Sequence, residues 1–166
     1  MKKNSAKTIL LIANGDLRQS ANEATWGFQK AMEKSLTAAV AKLGGDVAMV
    51  GRVGQDDFGA RLISVLSDVG INTSAVKIDP AQSTGIAMIT VEETGENRIL
   101  IVAGANGQVS RADVDVLRFD LAHAKALVLQ MEIPFETIEY ALDVAVELDL
   151  LTFPNLAPAY PISDEM

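Results

Sequence analysis

The chain alternates between short apolar runs and stretches in which apolar residues recur every three or four positions. Thr8-Ile-Leu-Leu-Ile-Ala13 is a continuous apolar run ending in Asn14-Gly15, the pattern of a strand covered on both faces. Phe28, Met32, Leu36, Val40 and Leu43 then form one helical stripe, stopped by Gly44-Gly45 as a C-terminal cap. Val47–Val50 reads as a second buried strand and Gly51-Arg-Val-Gly-Gln-Asp-Asp57 as a turn. A helix follows from about Phe58 to Val69, with Leu62, Ile63, Leu66 and Val69 inward and Gly70 at its end. Asp56 and Asp57 stand at its start, where a carboxylate accepts from free backbone N–H groups. Strand, helix, strand in this order is the βαβ grammar of an α/β protein.

The segment from about Ala75 to Ala103 breaks that grammar. Thr84–Val91 and Asn97–Val102 are two extended runs around Glu92-Glu-Thr-Gly-Glu96, which predicts a β-hairpin standing off the main sheet as an appendage. The βαβ pattern then resumes. Ser110-Arg-Ala-Asp113 is a capping-box variant opening a short helix to about Leu121. Ala126–Met131 reads as a buried strand. Pro134 starts a helix carrying Ile138, Ala141, Leu142, Ala145 and Leu148. Leu150–Phe153 is a last short strand before the proline-rich Pro154–Pro161, which cannot be helix interior or central strand. Residues 1–166 read as a single domain, with 75–103 containing the hairpin.

Composition narrows the function. Lys+Arg is 14 and Asp+Glu 22, a net charge of −8, which argues against nucleic-acid backbone or an anionic membrane as partner. There is no cysteine, so thiolate metal sites and cysteine nucleophiles are excluded. His123 is the one histidine, which leaves no basis for a histidine metal cluster or a serine–histidine triad. The apolar run Ile9–Ala13 behind the basic start is too short for a signal-peptide core or a spanning helix, and the cytoplasm follows by default.

Polar residues gather where the expected parallel strands end: Asn14 and Asp16, Gly54 and Asp56, Gln130 and Glu132, and Asn155. Ligands of open α/β sheets bind outside that edge. Carboxylates and amides suit sugar hydroxyls, which donate and accept directional hydrogen bonds. Asn and Asp also end strands simply as turn formers, and spacing alone leaves both readings open.

An ordered series of motifs resembles the ribokinase-like (PfkB-type) carbohydrate kinases, the ribokinase branch most closely. The series runs Val50-Gly-Arg-Val-Gly-Gln-Asp-Asp-Phe-Gly59, Leu66-Ser-Asp-Val-Gly-Ile-Asn-Thr-Ser74, Ser83-Thr-Gly-Ile-Ala87, Thr94-Gly-Glu-Asn97, Gly104-Ala-Asn106, Leu129-Gln-Met-Glu132 and Asn155-Leu-Ala-Pro-Ala159. The resemblance implies a three-layer α/β/α domain with a mostly parallel sheet and a β-hairpin lid over a sugar site. It implies transfer of the ATP γ-phosphoryl group to a sugar hydroxyl with Mg²⁺. It places Asn14, Asp16 and Glu132 on sugar-holding positions and Asn155 towards the nucleotide. Gly54 and Asp56 match a turn read as structural. It also implies a homo-oligomer paired through lid strands.

The chain departs from the family pattern in three places. Lys30-Ala-Met-Glu-Lys-Ser35 stands where the family has a glycine-rich sugar-binding segment. The first lid strands are expected to be missing or compressed into Leu17–Gln29. The Gly-Ala-Gly-Asp segment that supplies the family's catalytic base does not occur before Met166. The chain therefore reads as the N-terminal, lid-bearing part of a C-terminally truncated sugar kinase, inactive alone. The alternative is a non-catalytic sugar-binding or dimerising module.

Overall fold

The computed structural model describes residues 7–11, 17–20, 36–92, 94–116 and 118–156. Within these, a five-stranded sheet is built from β1 (Lys7–Leu11), β3 (Asp46–Gly54), β4 (Asn72–Asp79), β7 (Ala124–Gln130) and β8 (Leu151–Asn155), in the order β4-β3-β1-β7-β8. Every pairing in it is parallel, so connections must cross over its faces and cover them.

Helices lie on both faces. On one, Val47, Met49 and Val53 of β3 pack with Leu62 and Leu66 of helix α2 (Asp57–Asp68), and with Val40 of helix α1 (Leu36–Lys42). On the other, Val50, Leu127 and Leu129 pack with Val114 of helix α3 (Arg111–Val116), Leu121 of helix α4 (Arg118–Leu121), and Ile138, Ala141, Val144 and Ala145 of helix α5 (Phe135–Glu147). This is the expected three-layer α/β/α arrangement. A fully buried Leu such as Leu62 or Leu127 contributes about 1.5–3 kcal/mol relative to leaving it in water.

A second sheet forms the lid, in the order β2-β5-β6. β5 (Ile86–Val91) and β6 (Asn97–Val102) are antiparallel, from Ile86↔Val102 to Val91↔Asn97. The turn between them closes with Glu92 N–H donating to Glu96 O at 2.8 Å and Gly95 at φ +85°. β2 (Leu17–Ser20) runs parallel to β5, from Leu17↔Ile86 to Ser20↔Ile89.

Several boundaries differ from the sequence pattern, each for a physical reason. Gly51–Gly54 is strand, not turn, because it continues the ladder with Val76–Asp79 of β4. Residues 75–79 belong to the core sheet, so the appendage starts later than Ala75. Its stems, including Thr84 and Gly85, precede β5 as non-strand residues. For the first lid strands the structure agrees with the compressed alternative: β2 lies within Leu17–Gln29 and joins the lid sheet. β8 runs through Pro154 to Asn155; a proline is tolerated there because β8 is the outer strand among those described. Of the helical stripe, Val40 packs on the core, whereas Leu43 lies just past the end of α1 and is exposed, because the chain turns away there into Gly44 at φ +86°; Phe28 and Met32 lie outside the described residues.

Candidate functional site

With every core strand parallel, all five strands end at one edge, and the sequence-predicted residues sort by that edge. β3 ends at Gly54, β7 at Gln130 and β8 at Asn155. β1 ends at Leu11 between Val50 and Leu129, in the middle of the sheet. Asn14 and Asp16 lie outside the described residues. The described strands on either side of them, β1 and β2, belong to the core sheet and to the lid. The lid is thus joined to the core sheet at the ligand-binding edge of an α/β fold.

Glu132 lies just past β7, half-buried between Met131 and Ile133, which are both buried. Asn155 is exposed, as is all of β8. His123 is exposed in the turn that enters β7, at the opposite end of that strand.

Asp56 stands at this edge too, two residues past the end of β3. It is the N-cap of α2, accepting from Gly59 N–H at 2.8 Å through Oδ1. The same oxygen accepts from the Thr84 hydroxyl at 2.5 Å, and Oδ2 accepts from Thr84 N–H at 2.8 Å. Gly54 N–H donates to Thr84 Oγ1 at 3.0 Å. Burial pushes the Asp56 carboxyl up, but the bonds from the Thr84 hydroxyl and N–H and from the Gly59 and Phe58 N–H groups outweigh it and hold the pKa below the ordinary value. Glycine is required here by space: a Cβ on Gly59 would stand 2.3 Å from Gly54 O, and one on Gly54 would stand 2.4 Å from Thr84 N.

A charged cluster ties β3, β4 and α3 together. Asp113 is fully buried. Its Oδ2 accepts from Arg52 Nε at 2.9 Å and from the Ser110 N–H and hydroxyl at 2.8 and 2.9 Å. Lys77 Nζ lies 2.6 Å from Oδ1, and Arg52 Nη1 lies 3.3 Å from Asp79 Oδ2. Burial raises the Asp113 pKa, and Lys77, the Ser110 N–H and Arg52 together lower it below the ordinary carboxylate value. Two cations against two carboxylates make the cluster neutral and structural. Ser110–Asp113 was legible as a capping box; its partners Arg52, Lys77 and Asp79 were not, because no local pattern marks a contact between strands.

The described residues do not by themselves fit a complete nucleotide site. Asn155 offers one open amide, and among the described residues no group of three or more His, Asp or Glu side chains is arranged to hold a metal ion.

Comparison with known proteins agrees with the geometry. The model of the pfkB family of carbohydrate kinases matches residues 36–156. Ribokinase from Schizosaccharomyces pombe is 45% identical over 120 residues, covering 72% of this chain and 38% of the relative. A ribokinase structure from Thermotoga maritima superposes with a TM-score of 0.70 at 29% identity, covering 96% of this chain and 56% of that one. The structure of Arabidopsis thaliana ribokinase complexed with ribose and ATP shares the fold, with a TM-score of 0.68 at 23% identity, covering 92% of this chain and 54% of that one. The chain thus spans roughly half or less of the length of these relatives. The parallel sheet, the lid rooted at its ligand edge and the family match over most of the described chain lead to one assignment: the chain belongs to the pfkB family of carbohydrate kinases.

Proposed function

We propose that this chain carries the sugar-facing, lid-bearing part of an ATP-dependent ribokinase-type sugar kinase. The observation that carries the reading is the placement of the lid. Its strands are rooted at the same edge where β1, β3, β7 and β8 end, so a small polyol at that edge would lie beneath it. Asn14, Asp16 and Glu132 are the residues assigned to the sugar, as acceptors and donors for its hydroxyls. Asn155 is assigned to the nucleotide side.

In phosphoryl transfer most of catalysis is positioning and electrostatic stabilisation. ATP would supply the γ-phosphoryl group, with Mg²⁺ offsetting its charge. The part assigned to these residues is to bind and orient the sugar and, through the lid, to exclude water. The catalytic base belongs to a Gly-Ala-Gly-Asp segment that these 166 residues do not contain, so transfer is assigned to a protein that includes it. The ATP requirement supports a cytoplasmic location. No helix among the described residues is long and apolar enough to cross a membrane.

Saturation-transfer NMR with a panel of pentoses and hexoses tests the reading. Ribose is expected to receive saturation from the protein, and Asp16→Asn and Glu132→Gln to weaken the effect. No transfer to any sugar of the panel would overturn it.

A second reading, a dimerising module, is favoured by the lid itself. Met88, Val91, Ile99, Leu100, Ile101 and Val102 are all exposed, and such a patch on a sheet is normally covered by a partner. Pairing of lids between two copies of the chain would cover it and is compatible with sugar binding.

A further inference from the structure

We propose that Asp56 is a positioning residue for the lid: through Thr84 its carboxylate clasps the root of β5 to the β3–α2 turn, and so sets the lid over the sheet edge. An N-cap needs one acceptor for one N–H near the start of the helix, and the Gly59 bond already provides it. Phe58 N–H adds to that local cap, while two further bonds of Asp56 go to Thr84, twenty-eight positions along the chain.

Thr84 is fully buried, and its hydroxyl is used twice. It donates to Asp56 and accepts from Gly54 N–H. Gly54, Asp56 and Thr84 therefore form one hydrogen-bonded unit in which the Gly54 N–H, the Thr84 N–H and the Thr84 hydroxyl each have an acceptor. Only Gly85 separates Thr84 from Ile86, where β5 begins.

The root of β6 is tied to the same place. Ala105 N–H donates to Ser83 O at 2.8 Å. Gly104, at φ +51°, lies so close to that carbonyl that a Cβ would stand 2.3 Å from it. Gly85 in turn lies under Asn106, with no room for a Cβ between them. Both stems are thus fastened to each other and, through Asp56, to the end of β3. The first positions free of this fastening are Ile86 and Val102, which pair directly across the hairpin. The β5–β6 hairpin is expected to move as one body about that pair, with its stems held still.

The clasp rests on the fold and not on the sugar reading, and its test keeps them separate. Amide hydrogen exchange is followed by mass spectrometry on the 166-residue protein and on Thr84→Val, Thr84→Ser and Asp56→Asn. Valine keeps the shape of Thr84 but leaves Gly54 N–H buried without an acceptor. The expected result for Thr84→Val is exchange about tenfold faster in β5 and β6, with β7 and α5 unchanged. Asp56→Asn is expected to do the same, while Thr84→Ser, which keeps the hydroxyl, exchanges like the parent. Should Thr84→Val fail to accumulate, Asp56→Asn against Thr84→Ser gives the same comparison. Unchanged lid exchange would overturn the proposal. So would acceleration confined to α2, the sign of a simple N-cap, or acceleration shared equally by lid and core. In a parallel ribose titration, weakening in Thr84→Val but not Thr84→Ser links the clasp to the sugar. If ribose does not bind the parent while the exchange result holds, the sugar reading fails and the clasp stands.

Discussion

Arg52 of β3 and Asp113 of α3, sixty-one positions apart, meet with Nε 2.9 Å from Oδ2, and the carboxylate is fully buried. Removing one member of such a buried cluster leaves the opposite charge with fewer partners, which costs more than the pair's net contribution. Arg52→Met, which leaves Asp113 with Lys77 as its cation, is expected to lower stability by about 1–3 kcal/mol, read as a lower urea midpoint. Asp113→Asn, which leaves Lys77 without its carboxylate and Arg52 with Asp79 alone, should do at least as much.

Acid should act through the same residue and through Asp56. Both carboxyls are held below their ordinary pKa in the folded protein. Each therefore contributes stability that is fully present above the unfolded value of about 3.9 and is lost as pH falls through the folded value. The urea midpoint should show little change from these two groups between pH 7 and pH 5 and drop below about pH 4. A drop already complete at pH 5 would contradict the assignment.

Glycine substitutions separate backbone strain from crowding. Gly70 has φ +85° with open space around it, whereas Gly104 combines φ +51° with a carbonyl 2.3 Å from a would-be Cβ. Gly70→Ala should cost roughly 1–2 kcal/mol from the left-handed backbone alone. Gly104→Ala should cost clearly more, because Ser83 O belongs to the stem fastened by Asp56. Equal thermal shifts for the two variants would count against a tightly held stem.

The lid's apolar surface predicts self-association. Ile99 and Ile101 lie on one face of β6 and Leu100 on the other, and all three are exposed. Sedimentation at tens of micromolar is expected to show dimers, and Ile101→Glu to shift them to monomer. A parent protein that sediments only as monomer would remove the dimerising reading.

Catalysis by the 166 residues alone should be absent at kinase rates. Loss of a general base typically costs about 10²–10⁴ in rate. ADP production with ribose, ATP and Mg²⁺ is expected far below the roughly 1–100 s⁻¹ usual for kinases. Turnover in that range, abolished by Glu132→Gln, would show that the base lies within this chain.

Much of the fold was legible because local periodicity and capping reflect burial. α2 and α5 showed as apolar stripes, β7 as an apolar run, and the hairpin as two runs around a glycine turn. β4 was not legible as a core strand: of Asn72–Asp79 only Ala75 is buried, so an outer strand with polar neighbours leaves little apolar signal. Gly51–Gly54 was misread for the opposite reason. Its glycines suggested a turn, whereas Gly54 is needed because Thr84 and Gln82 lie against it. At the site, Asp56 could be placed as an N-cap from its position before α2. Its bonds to Thr84 could not, since a contact between residues so far apart has no local pattern.

The place of β1 has a consequence for how the protein is made. Lys7–Leu11 lies between β3 and β7 and pairs with both, yet it is synthesised long before β7. On the ribosome β1 must wait, one edge unpaired, while the lid and two helical layers are still emerging. Pairings between such distant segments close slowly because the chain entropy of the loop is lost before the contact is gained. Ile9, Leu10 and Leu11 would meanwhile be open to any other unpaired strand. Raising chaperone levels, which shields that edge until β7 is made, should therefore increase soluble yield.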